Sequence, residues 1–279
     1  MNRRPPRGAS GGRDAARPRP ASPSRAPARD EEQRLFGLNA CRAAFAHRPQ
    51  DLRKVWLSEV RIAALKPVLA WCVKHRLGYR VVDDTELARI TGTQHHEGVC
   101  FAMRAAQAPR LAELLRALPP GPALVALLDG VGNPHNLGAL LRSGAHFGLA
   151  AVVVPAASTL TLSGAAARVA EGGAEVVPLL RAGQDEDVVA ALRAAGFALA
   201  ATVPRDGVAL FDAALPARTA LVFGAEETGI GEALLAAADL RLTIPGTGAV
   251  ESLNIAASAA VCFAEWRRRH PVPPQGRPA

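Results

Sequence analysis

The sequence predicts an α/β protein in which a mostly parallel sheet, covered by helices, follows a smaller α/β module. Two observations carry this reading. Beyond residue 122, apolar runs suited to strands alternate with stretches of helical spacing, the pattern of a parallel sheet joined by crossover helices. Asn, Arg, Glu, Ser and glycine also concentrate directly after three of those runs. These are the carboxyl ends of strands, where an open α/β sheet builds its ligand site.

Residues 1–33 contain no Val, Leu, Ile or aromatic side chain and are rich in Arg, Pro, Ala, Gly and Ser. Such a segment cannot bury enough apolar surface to offset its ordering entropy, so a disordered tail is expected. It is basic but lacks the apolar stretch of a secretory signal, and its six prolines break any amphipathic transit helix. A cytoplasmic protein is the expectation.

The first module is expected over 34–106. Helical spacing covers 38–46 and 62–77, the latter through Leu65, Val68, Leu69, Cys72 and Val73. Strands are expected at 55–58, 79–82 and 99–103, and Asp83 can cap a short helix through Leu87 and Ile90. Residues 107–122, with four prolines around a short helical run, read as a linker. The second domain is expected over 123–266. Its strands are 123–129, 151–155, 175–180, 198–203, 221–223 and 240–244, and its helices lie near 136–147, 162–171, 185–195, 231–238 and 252–266. A basic tail, 267–279, closes the chain. No apolar run approaches the ~18 residues of a membrane span.

Net charge is +8, and its distribution is uneven. Residues 1–33 carry +4 and 267–279 another +4; within the body, 34–106 carry +6 and 107–266 carry −6. Basic character thus sits apart from the segment rich in Asn, Glu and Ser. That favours one part holding a polyanion, RNA, while another performs chemistry. A GC-rich coding sequence explains Arg over Lys, 30 against three, but not this asymmetry.

Several chemistries are excluded. The second domain has no lysine, hence neither a Walker A nor a Schiff-base lysine. No G-x-S-x-G elbow occurs, and Gly130-Val-Gly132 lacks dinucleotide-fingerprint spacing. Cys41, Cys72, Cys100 and Cys262 are isolated in apolar stretches and read as buried free thiols. No metal site is expected.

The three polar stretches are Asn133-Pro-His-Asn-Leu-Gly-Ala-Leu-Leu-Arg142, Leu221-Val-Phe-Gly-Ala-Glu-Glu-Thr-Gly-Ile230 and Ile244-Pro-Gly-Thr-Gly-Ala-Val-Glu-Ser-Leu-Asn-Ile255. Taken alone, Asn136 and Ser252 read as helix caps, Arg142 as an exposed helical charge and Glu226-Glu227 as a solvated turn. In this order, however, the three resemble the signature of the SpoU/TrmH family of RNA ribose methyltransferases, in the SPOUT class. Gly144 and Gly246 depart from it, standing where the family usually has Ala and Met. Residues 36–40 and 87–99 are similar to the ribosomal-protein-like substrate-binding domain of that family, with His96-Glu-Gly98 in place of His-Gln-Gly.

The resemblance implies a trefoil knot near the C-terminus, a homodimer, S-adenosylmethionine as cofactor and tRNA or rRNA as substrate. It implies a cofactor pocket using Gly224, Ile244 and Leu253. It also implies a catalytic set of Asn136, Arg142, Glu226, Ser252 and Asn254. The family proposal makes the arginine a base, yet guanidinium stays protonated in proteins. Arg142 is better read as the stabiliser of the developing ribose alkoxide and clamp on the adjacent phosphate, whose oxygen takes the proton. Two rival readings are a non-catalytic RNA-binding factor that keeps the fold, and a SPOUT enzyme that methylates a base.

Overall fold

The computed structural model describes residues 32–271. The sequence forms two sheets. The smaller one collects β1 (Glu32–Phe36), β2 (Leu52–Leu57), β3 (Gly78–Val81) and β4 (Val99–Arg104) in the order β1-β4-β2-β3. β4 runs antiparallel to both neighbours, while β2 and β3 are parallel. Helices α1 (Leu38–His47), α2 (Lys66–His75) and α3 (Asp84–Thr91) complete the module. Leu35, Val55, Leu57, Phe101 and Met103 meet Cys41, Ala44, Val68 and Cys72 in its core. Asp83 accepts from the Glu86 amide at 2.7 Å and so caps α3, as its position suggested.

Three boundaries differ from the sequence reading. Glu32 and Gln33, assigned to the tail, open β1 by pairing with Arg104 and Met103; the rest of that tail lies outside the described residues. The expected single helix over 62–77 is divided. Two short 3₁₀ turns occupy 59–61 and 63–65, and α2 then starts at Lys66 with Pro67 in its first turn, where a missing N–H costs nothing. The stretch 107–122 is not a free linker either. It carries α4 (Leu111–Ala117), whose Leu111 and Leu115 are buried against Ala123, Val125 and Leu192.

The larger sheet has seven parallel strands in the order β7-β6-β5-β10-β8-β11-β9. They are β5 (Ala123–Leu128), β6 (Ala151–Val154), β7 (Leu179–Arg181), β8 (Ala198–Thr202), β9 (Val208–Ala209), β10 (Arg218–Phe223) and β11 (Leu240–Thr243). The intervening helices are α5 (Pro134–Phe147), α6 (Gly164–Ala170), α7 (Gly173–Val176), α8 (Val188–Ala194), α9 (Glu232–Ala237) and α10 (Ile255–Arg269). β5 is buried on both faces, and its side chains alternate between two cores. Leu124, Ala126 and Leu128 join Leu137, Leu141, Phe263 and Trp266, while Val125 and Leu127 join Leu199, Ala220 and Val222.

The chain builds outward from β5 to β7, crosses to β8, and later inserts β10 between β5 and β8. The carboxyl ends of β5, β10 and β11 therefore lie on one edge, with a switch point between β5 and β10. The expected strand 175–180 is a correction: α7 occupies 173–176 and β7 begins only after Pro178. The basic tail is a second one. Arg267–Arg269 continue α10, where Arg267 donates to Phe147 O at 2.7 Å and Arg268 and Arg269 pair with Glu265. Residues 272–279 lie outside the described part.

The small module packs directly on the larger domain. Arg48 of β2's preceding turn donates through Nε and Nη2 to both carboxylate oxygens of Glu175, at 2.7 and 3.0 Å. Both side chains are only 9% exposed. His96, 4% exposed, accepts the Gly98 amide on Nδ1 and is a structural residue of the turn before β4.

Candidate functional site

Three loops converge at the switch point: 129–133 after β5, 224–231 after β10 and 244–254 after β11. The first is tied to the second by Asp129, whose amide donates to Phe223 O at 2.8 Å and whose Oδ2 accepts from the Gly231 amide at 2.7 Å. The second loop closes on itself through a reciprocal backbone pair between Ala225 and Gly229, at 3.0 and 2.9 Å. This is why position 224 must be glycine. A Cβ there would stand 2.1 Å from the Gly229 carbonyl carbon, so any side chain forces the loop open.

Asn136 does not cap α5, contrary to the reading of its side chain as a cap. Asn133 does so, accepting from the His135 amide at 2.8 Å, and Pro134 occupies the first helical position. Asn136 is thereby free to face the other loops. Its Nδ2 donates to Glu226 Oε1 at 3.0 Å, and its Oδ1 accepts from Asn254 Nδ2 at 3.0 Å. Asn254 Nδ2 also lies 3.3 Å from Glu226 Oε1. Asn254, not Ser252, caps α10, with Oδ1 accepting from the Ala256 amide at 2.9 Å. Asn136 of the first turn of α5, Glu226 of the second loop and Asn254 of the third thus meet in a closed triangle of hydrogen bonds. The three residues come from positions separated by 28 to 118 in sequence.

The other residues singled out stand around this triangle. Ile244 is half-buried against the main core, and Leu253 is 47% exposed on its loop. Ser252 is exposed beside it. Arg142 lies further along α5 and is paired with Glu171, Nη1 to Oε1 at 3.0 Å, rather than with the triangle. Among the described residues, no hydrogen bond links Arg142 or Ser252 to Asn136, Glu226 or Asn254. The sequence reading missed Asp129 and Glu171. An acid directly after a strand signals Asp129; Glu171, 29 residues from its partner, has no local signal.

All four cysteines are buried and free. Burial pushes the thiols up, to about 12 for Cys100 and Cys262, so none is a thiolate at neutral pH. No group of three His, Cys, Asp or Glu that could hold a metal is found among the described residues.

The groups around the three-loop edge are compatible with a bound cofactor. Gly246 and Gly248 border open space, Leu253 is 47% exposed and Ile244 is half-buried, whereas the space beside Gly224 is taken by the Gly229–Ile230 backbone of its own loop. Comparison with known proteins agrees with this architecture. Residues 123–264 match the SpoU rRNA Methylase family, and residues 34–109 match the RNA 2'-O ribose methyltransferase substrate binding family. A tRNA/rRNA methyltransferase of Escherichia coli O157:H7, named as uncharacterized, is 39% identical over 87% of this chain and 70% of its own. The 23S rRNA (guanosine-2'-O-)-methyltransferase RlmB of Nitrosomonas europaea is 31% identical over 85% of this chain and 92% of its own. Among solved structures, an AdoMet-bound rRNA methyltransferase from Sinorhizobium meliloti shares the fold, with TM-score 0.71 and 22% identity over 87% of this chain and 88% of its own. The two matched segments cover both sheets in the order found here, and the chain belongs to the SpoU family of RNA methylases, with the family's substrate-binding domain ahead of the methylase domain.

Proposed function

We propose that this protein transfers a methyl group from S-adenosylmethionine to the 2'-oxygen of a ribose in tRNA or rRNA. The observation that carries the reading is the Asn136–Glu226–Asn254 triangle, which ties the start of α5 to the loops after β10 and β11. When bound, the cofactor supplies an electrophilic methyl on a cationic sulfonium. The apolar walls from Ile244 and Leu253 suit it, because methyl transfer discharges that cation and needs no strong counter-charge.

The chain's own residues do the rest. Arg142 stabilises the alkoxide that develops as the hydroxyl attacks and clamps the neighbouring phosphate, which takes the proton. Asn136, Glu226 and Asn254 hold the loop edge rigid so that hydroxyl and methyl meet in line, and Ser252 contributes a hydroxyl on the same loop. The domains are read as 34–106 for RNA capture and 123–266 for chemistry, supported by the +6 and −6 charge of the two parts. A cytoplasmic homodimer is part of this reading and rests on the family. A trefoil knot near the C-terminus is likewise part of this reading and rests on the family.

The cofactor assignment is tested by thermal unfolding of the full chain. At a hundredfold excess over Kd, S-adenosylmethionine should stabilise the wild type by about 3 kcal/mol. Gly224→Ala should lose that shift, because its Cβ opens the 224–231 loop. A wild type indifferent to millimolar cofactor, or a variant that keeps the full shift, would remove the pocket from this edge.

A further inference from the structure

The Arg142–Glu171 pair carries an inference that rests on the catalytic reading of Arg142 and deepens it. Arg142 is 59% exposed on α5, and a long side chain so placed samples many rotamers. Fixing one orientation costs rotamer entropy that a free side chain would keep. Glu171 supplies the anchor, with its Oε1 3.0 Å from Arg142 Nη1.

The backbone beneath Glu171 is unusual. Glu171 ends α6 in the left-handed region, φ 46° and ψ 42°, where a side chain is strained relative to glycine. Glycines occupy the next two positions, yet the first left-handed position is given to a glutamate. An ion pair as exposed as this one, 59% and 40%, returns little stability. Stability therefore does not account for the strained residue, whereas orientation of Arg142 does.

The turn that presents Glu171 is held from two sides. A Cβ at Gly173 would lie 2.6 Å from Leu141 O and 3.0 Å from Arg142 Cα, so the turn sits directly on the backbone of Arg142. A Cβ at Gly172 would lie 2.7 Å from Ala43 Cβ of α1. Four residues beyond Glu171, Glu175 is bound by Arg48 in the buried pair that docks the small module. The carboxylate is thus fixed relative to the helix that carries its partner, and the fixing elements include the substrate-binding domain.

We propose that Glu171 is a positioning residue for Arg142. It holds the guanidinium in the orientation from which its remaining N–H groups reach the ribose oxygen and the adjacent phosphate. It does so from a turn clamped between α5 and α1.

The test compares full-length Glu171→Gly, Glu171→Gln and Arg142→Ala with the wild type. The readouts are melting temperature, kcat, and KM for S-adenosylmethionine, using RNA from cells that lack the protein. Glu171→Gly should unfold at the wild-type temperature or above, since it relieves the left-handed strain. Its kcat should nonetheless fall about tenfold with cofactor KM unchanged. Glu171→Gln, which still accepts a hydrogen bond, should keep kcat within about threefold of wild type. In the Arg142→Ala background, Glu171→Gly should cost nothing more. A Glu171→Gly variant with wild-type kcat, or one whose activity falls only in step with its stability, would overturn the proposal. Wild-type turnover in Arg142→Ala would instead overturn the role of Arg142 itself, whatever Glu171→Gly does.

Discussion

Replacing Arg142 by alanine is expected to lower kcat for methyl transfer by about 10²–10³, the usual cost of removing one preorganised donor at a developing oxyanion. Cofactor affinity should stay within about twofold, because Arg142 on α5 is read as acting on the ribose oxygen in the transition state and not on the cofactor in the ground state. The fold should be unaffected, since the side chain is mostly exposed and its one ion pair is solvated. Single-turnover rates with saturating cofactor, together with a direct binding measurement, check both halves. Near-normal turnover would return Arg142 to the role of a surface charge.

Arg48→Ala is expected to have the largest effect on stability, about 3–5 kcal/mol. Its guanidinium is nearly enclosed and serves Glu175 through two bonds and Arg104 O through a third at 2.6 Å. Truncation leaves the Glu175 carboxylate buried without a counter-charge, which is the costly half of breaking such a pair. Replacing both partners, Arg48→Met with Glu175→Met, should recover much of the loss. Urea unfolding of the three proteins checks this, and an Arg48→Ala midpoint equal to the wild type would show that the module docks by other contacts.

The strand positions of the larger domain were legible because burial on both faces writes a strand as a continuous apolar run, as in Ala123–Leu128. What escaped were elements decided by distant contacts. β1 opens on Glu32-Gln33-Arg34, polar residues of an edge strand whose pairing with β4 only the fold reveals. The run at 175–180 has strand-like composition, yet the Gly172-Gly173 turn packs on α5 and imposes a helical turn first. α4 looked like a linker because prolines flank it, while its Leu111 and Leu115 spacing already marked a buried face.

At the site, the residue types and their loops were readable, but their geometry was not. Both Asn133 and Asn136 could cap a helix; Pro134, fit for the first helical position, decides for Asn133. Likewise Ser252 and Asn254 both suit a cap, and Asn254 takes the role while also holding Asn136. One side chain therefore serves local structure and the triangle together, which no local pattern separates. Glu171 became visible only when the fold set it beside Arg142.

In the proposed reaction the methyl group goes to a ribose oxygen of RNA. The direct measurement is to incubate the full chain with S-adenosylmethionine carrying an isotopically labelled methyl and RNA from cells lacking the protein. The RNA is then digested to nucleosides, which are identified by mass spectrometry. The label should appear in a 2'-O-methylnucleoside, with the extra mass on the sugar fragment, and its initial rate of appearance should fall about 10²–10³-fold with Arg142→Ala. Label on a base fragment, or RNA that is bound but never labelled, would contradict the account.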